Sequence, residues 1–124
     1  MKQTLFVTPT AKGRPRTSVR NGIAIVYTPA KTKRAEEEIQ WLLRNSEYFN
    51  RGIPIEVELW MYLPKAKSCK KEYPTQKPDI DNLAKLTLDA INKILYHDDC
   101  QVVDLLLHKR FGKPRIELEV KELS

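Results

Sequence analysis

From Ile53 to Leu63 the chain alternates strictly: Ile53, Ile55, Val57, Leu59, Met61 and Leu63 fall on one side, Glu56, Glu58, Trp60 and Tyr62 on the other. A period of two is that of a strand with one buried face, and Trp60 and Tyr62 give the opposite face partial cover. Ala35, Ile39, Leu42, Leu43 and Phe49 recur instead at helical spacing. They predict a first helix from about Pro29 to Tyr48, with Thr28 as its cap and Pro29 at the first helical position. Leu83, Leu86, Ala90, Ile91 and Ile94 predict a second helix over Ile80 to Leu95. Shorter alternating runs predict strands at Lys2–Thr8 and Ile23–Tyr27, separated by a loop over residues 11–22 that Gly13, Pro15 and Gly22 punctuate. Two further strands, Gln101–Arg110 and Arg115–Glu122, flank Phe111-Gly112-Lys113-Pro114, which reads as a hairpin turn. No segment repeats and none is of low complexity. The pattern predicts one α+β domain over residues 1–124, a mixed or mostly antiparallel sheet with two main helices.

Composition narrows the class. At 124 residues, with 41% hydrophobic and 31% charged, the chain can bury a core without disulfides or a structural metal. No apolar run approaches the roughly 18 residues of a membrane span, and the N-terminus lacks the pattern of a secretory signal. Cys69 and Cys100 stand far apart and outside any metal-ligand spacing. They read as free thiols of a cytoplasmic protein.

Charge changes the picture more. The net charge is +6, yet residues 1–34 hold eight Lys or Arg and no acid, and residues 64–78 hold five Lys against Glu72. Between Asp79 and Asp104 there are six aspartates and only Lys85 and Lys93. Each charge run alone could be a solvated face. Basic segments flanking a carboxylate cluster suggest instead a polyanion held by Lys and Arg while the acids hold cations against it.

Asp79 and Asp81 sit where the second helix begins, a position that favours carboxylates for purely structural reasons. Asp81, Lys85 and Asp89 follow at intervals of four, on one stripe away from the apolar face, and a surface ion-pair ladder would also produce that spacing. A calcium loop fails in detail, because Leu83, Ala84 and Ala90 stand where an oxygen ligand, a glycine and a bidentate glutamate belong. Zinc fails too, since His97, His108 and the cysteines form no four-ligand spacing. Magnesium suits the donors: it takes carboxylate oxygens, keeps waters and is completed by a substrate phosphate. That reading requires Asp98 and Asp99 to fold back towards Asp79 and Asp81, with Lys85 orienting water or offsetting charge on the phosphate.

The run KPDIDNLAKLTLDAIN followed by YHDDCQVVD closely resembles the RusA family of phage and prophage Holliday junction resolvases, in which a D-x-D-N-L-x-K-x-x-x-D-A helix leads to D-D-x-Q-V. Asp79, Asp81, Asn82, Leu83, Lys85, Asp89 and Ala90, then Asp98, Asp99, Gln101 and Val102, fill every signature position. AKGRPR and YTPAK look like the N-terminal region of one branch, although Lys12 to Arg16 replace the proline- and asparagine-rich loop of another. The resemblance implies a RusA-like fold and a homodimeric, Mg²⁺-dependent endonuclease, with Mn²⁺ as substitute, that makes paired nicks in four-way DNA junctions during recombination and repair. It implies Asp79, Asp81 and Asp99 as catalytic metal-binding carboxylates and Lys85 as the catalytic lysine. Asp98 would join the metal site, with Asp89, Asn82 and Gln101 in support and Asp89 orienting Lys85. Lys12, Arg14, Arg16, Lys65, Lys67, Lys70 and Lys71 are the expected phosphate contacts, and Tyr73 is the candidate for opening the crossover. Neither a membrane nor a small-molecule cofactor is expected. The rival readings are a less selective flap or fork nuclease and a non-catalytic DNA-binding protein.

Overall fold

A computed structural model describes residues 1–124. The elements in order are β1 (Lys2–Leu5), β2 (Arg16–Arg20), β3 (Ile23–Tyr27), α1 (Ala30–Leu42), β4 (Ile55–Leu63), α2 (Ile80–Ile91), β5 (Val102–Phe111) and β6 (Arg115–Glu122), with one 3-10 turn at Asp99–Gln101. Four strands form a mixed sheet in the order β1-β6-β4-β5, and β2 and β3 form a separate hairpin. The α+β expectation holds.

β4 is the spine. Ile55, Val57, Leu59, Met61 and Leu63 are all buried and pack with Ile116, Leu118 and Val120 of β6. Both helices close over that same face: α1 contributes Ile39, and α2 contributes Leu83, Ala84, Leu86, Ala90 and Ile91. The opposite face of β4 is half-covered rather than bare. Trp60 stacks on His108 with centroids 5.2 Å apart, His108 Nε2 lies 2.7 Å from Glu58 Oε2, and the Arg115 guanidinium sits 3.6 Å over the Tyr62 ring. Long amphipathic side chains shield apolar surface in this way without a second layer of backbone.

Several sequence boundaries move, each for a physical reason. β1 stops at Leu5 because the backbone N–H of Val7 turns back to Leu5 O at 2.9 Å, which still buries Val7. α1 begins after Pro29, not after Thr28, and Pro29 provides no side-chain cap. It ends at Leu42, not Tyr48: six residues past Leu43, Phe49 would stand about 120° around a continued helix. Leaving the helix lets Phe49 N bond Leu95 O at 2.8 Å and bury the ring. Leu42 consequently faces out. α2 likewise ends at Ile91, and a turn through Lys93, with φ of +70°, brings Leu95 and Tyr96 into the core.

Two differences concern topology. Residues 16–20, expected within a basic loop, form β2 and pair with β3 through an Asn21-Gly22 turn with φ of 52° and 76°. Both positive values are those of the two-residue hairpin turn that Asn-Gly favours. Residues 111–114 are not a hairpin turn, because β5 and β6 do not pair. β4 lies between them, parallel to β5 and antiparallel to β6. The connection therefore passes over the end of β4, where Gly112 N bonds Leu63 O at 2.9 Å. The β4–α2–β5 unit is thus a parallel crossover that lays α2 beside the start of β5.

Candidate active site

The chain approaches α2 through Pro78, and Asp79 takes the N-cap position in extended conformation. Its carbonyl accepts from Leu83 N at 3.1 Å, while its carboxylate caps nothing. Lys109 on β5 fixes this approach, donating from Nζ to Gln76 O at 3.0 Å and Pro78 O at 2.9 Å. With the apolar face of α2 held on the sheet, Asp81, Lys85 and Asp89 are left on its outer stripe. The ladder that this spacing allowed does not form: none of the chain's ion pairs includes Lys85.

The crossover returns Asp99 to this stripe. Asp81, Lys85 and Asp89 from α2 and Asp99 from the 3-10 turn line one cleft of about 440 Å³, with Ala84, Leu88 and β5 residues including Val102 and Leu107 as apolar walls. Tyr96 Oη donates to Asp99 Oδ1 at 2.9 Å from a wholly buried ring. Burial lifts the Asp99 carboxyl above its ordinary value; the Tyr96 bond opposes this, while the charges of Asp89 and Asp98 add to it. Asp81 and Asp89 stand about 12 Å apart along α2, eight residues at 1.5 Å each, and the charge of Asp89 acts on Asp99. The carboxylates are therefore hard oxygen donors set around a groove. No three His, Cys, Asp or Glu side chains close into a ready cage. This donor chemistry fits Mg²⁺, which is held by one or two carboxylates and takes its remaining ligands from water and substrate phosphate.

Comparison with known proteins agrees with the motif. The endodeoxyribonuclease RusA family matches residues 7–121. The chain belongs to this family. The uncharacterized protein YqaN of Bacillus subtilis (strain 168) is 34% identical in an alignment covering 100% of this chain and 97% of that protein. A crossover junction endodeoxyribonuclease, rusA of Lactococcus phage r1t, is 34% identical over 87 residues, 66% of each chain.

The remaining RusA signature residues are distributed unevenly. Asp79 is exposed at the N-cap, outside the lining of the cleft. Asp98 also stands apart: it borders a second hollow of about 320 Å³ with His97, Cys100 and Arg51. There it accepts from Cys100 Sγ at 3.5 Å, which with the Lys93 charge holds its carboxyl below the ordinary value. Gln101, largely buried, joins this turn to the core. Its Nε2 donates to Asn50 O at 2.8 Å and Ile53 O at 3.0 Å, and its Oε1 accepts from Asp98 N at 2.9 Å. Asn82 is exposed and contributes its carbonyl, which accepts from Lys12 N at 3.1 Å.

Among the basic residues, Lys12 departs from the expectation of a free phosphate contact. Its Nζ lies 3.0 Å from both Glu36 Oε2 and Asp89 Oδ2, so it straps the N-terminal segment to both helices. Asp89 accordingly pairs with Lys12, not Lys85. Arg14, Arg16, Lys65, Lys67, Lys70 and Lys71 are exposed and in no ion pair. Tyr73 is exposed with the Arg110 guanidinium 5.3 Å over its ring. The sequence alone marks neither Tyr96 nor Lys109 as part of the site. A tyrosine next to His97-Asp98-Asp99 was the available signal for the first, since a buried hydroxyl needs a partner; nothing local marked Lys109.

Proposed function

We propose that this RusA-family chain is a divalent-metal-dependent endodeoxyribonuclease that resolves four-way DNA junctions by paired nicks, acting in the cytoplasm as a homodimer. The observation that carries the reading is the cleft shared by Asp81, Lys85, Asp89 and Asp99, in a chain of this family whose phage relative is named a crossover junction endodeoxyribonuclease. Asp81 and Asp99 are the proposed principal Mg²⁺ or Mn²⁺ carboxylates, with Asp79 and Asp98 as further donors at the two ends of the site. Bound there, the ion supplies an acidified water and offsets charge on the phosphate. Lys85, free of any ion pair, is proposed to orient that water or to meet the charge that develops on the phosphoryl oxygens. Arg14, Arg16 and the lysines of residues 65–71 hold phosphates and position the DNA without reading its sequence.

Support for a dimer comes from β5, an edge strand that leaves Leu106 exposed together with Val103 and Leu105 of the cleft lining, so that a second copy would pack beside the site. An unpaired apolar edge is a surface that a second copy covers. Two clefts at fixed spacing would favour a branched substrate through its shape.

The test compares a four-way junction, a flap and a linear duplex in Mg²⁺ or Mn²⁺, with Asp81→Asn and Lys85→Ala alongside. Paired nicks confined to the junction are expected, and Lys85→Ala should bind junctions while cutting them about 100-fold more slowly. Full activity in Asp81→Asn would sink the metal-site proposal. Equal cutting of flaps would make this a less selective nuclease, and binding without nicking by the wild-type protein would leave a DNA-binding protein only.

A further inference from the structure

The β2–β3 hairpin stands outside the main sheet. Every residue of β3 is exposed, and only Ser18 of β2 is half-covered. Cross-strand partners in an antiparallel pair share a face. One face therefore carries Arg16 opposite Tyr27, Ser18 opposite Ile25, and Arg20 opposite Ile23. Between them Ser18, Arg20, Ile25 and Tyr27 line a hollow of about 340 Å³. Guanidinium groups thus follow one strand of this face, and apolar and aromatic side chains follow the other.

The hairpin's root is fixed beside the cleft. Lys12 is strapped to Asn82 and Asp89 of α2, and Gly13 N donates to Thr32 Oγ1 of α1 at 3.0 Å. A Cβ at Gly13 would meet that oxygen at 2.6 Å, so glycine permits the close approach. Strand β2 begins three residues later, and its five residues carry the tip roughly 16 Å from its base.

We propose that this face receives nucleotides unstacked at the branch point of a DNA junction, with Arg16 and Arg20 on phosphates and Tyr27 against a base. The identity of the DNA rests on the function proposed above; the contact does not require cleavage. A polyanion is the favoured occupant because residues 1–34 contain no acid to repel it. Cations on the backbone with a ring beneath the base are the usual means of holding single-stranded nucleotides. Tyr73 is less suited, since Arg110 already covers one side of its ring.

The experiment uses the whole protein, in EDTA so that the strands stay intact, with a four-way junction carrying 5-iododeoxyuridine at the branch point. Ultraviolet crosslinking should map to Tyr27, and Tyr27→Ala should weaken junction binding roughly tenfold. Tyr27→Phe should restore it, and affinity for a linear duplex should stay within about twofold, because phosphate contacts dominate there. Crosslinking at Tyr73, or unchanged junction affinity in Tyr27→Ala, overturns the proposal. So does a change of sedimentation mass in Tyr27→Ala without loss of junction affinity, which would make the face a contact between copies. Failure of the wild-type protein to nick in Mg²⁺ would remove the nuclease reading without altering these binding results.

Discussion

The hydroxyl of Tyr96, a ring with no solvent exposure, donates a 2.9 Å hydrogen bond to Asp99 Oδ1 at the edge of the cleft. Burial and the adjacent Asp99 charge push the Tyr96 hydroxyl well above its ordinary range, so it remains a donor at every working pH. It ties a carboxylate on a short turn to the rigid core. Tyr96→Phe keeps the ring and removes the donor, and should lower stability by about 1 kcal/mol in urea unfolding. If Asp99 acts at the metal, the nicking rate should fall while junction affinity is kept. An unchanged rate would show that the orientation of Asp99 does not matter.

Gln101 holds the same turn from the other side, through carbonyls of Asn50 and Ile53 and the N–H of Asp98. Gln101→Leu is similar in size but leaves those groups without their side-chain partner. The expected loss is about 2 to 3 kcal/mol of unfolding free energy, measured as a lower urea midpoint at constant slope.

Lys12→Met preserves the side-chain stem and deletes the charge between Glu36 and Asp89. At neutral pH the expected cost is about 1 kcal/mol, smaller in high salt. Burial alone would lower the Lys12 pKa, but hydrogen bonds and charges from Asp89 and Glu36 outweigh it and leave the value above the ordinary 10.5. A group whose folded pKa is raised stabilises fully below its unfolded value. The difference between wild type and variant should therefore be flat from neutrality to about pH 10 and close only as pH rises beyond 10.5.

Lys109→Met should release the carbonyls of Gln76 and Pro78 ahead of α2. Amide hydrogen exchange should rise over residues 76–83 and stay unchanged in β4. Exchange unaltered at the start of α2 would mean that the helix and its N-cap are held by packing alone.

What is legible in the sequence follows from periodicity. The buried face of β4, the apolar stripe of α2 and the resulting outward stripe of Asp81, Lys85 and Asp89 all depend on residues four or fewer apart, so local geometry fixes them. The Asn21-Gly22 turn carried an equally local signal that the charge of the surrounding loop obscured. The pairing of β5 carried none. Residues 111–114 have a turn's composition whether the flanking strands pair directly or around a third strand, and only the burial of β4 between two neighbours decides.

The sequence by itself determined the chemistry available: carboxylates and one lysine along a helix, a second acidic pair before a strand, and bases on either side. Tertiary structure decided which of them meet. Because β5 runs parallel to β4, the chain must cross over through α2, and that crossover brings Asp99 to the cleft of Asp89 and Asp81 while Asp79 and Asp98 stay outside its lining. Partners 10 to 18 residues apart in the chain are brought together by how strands order in a sheet, which no local pattern of side chains encodes.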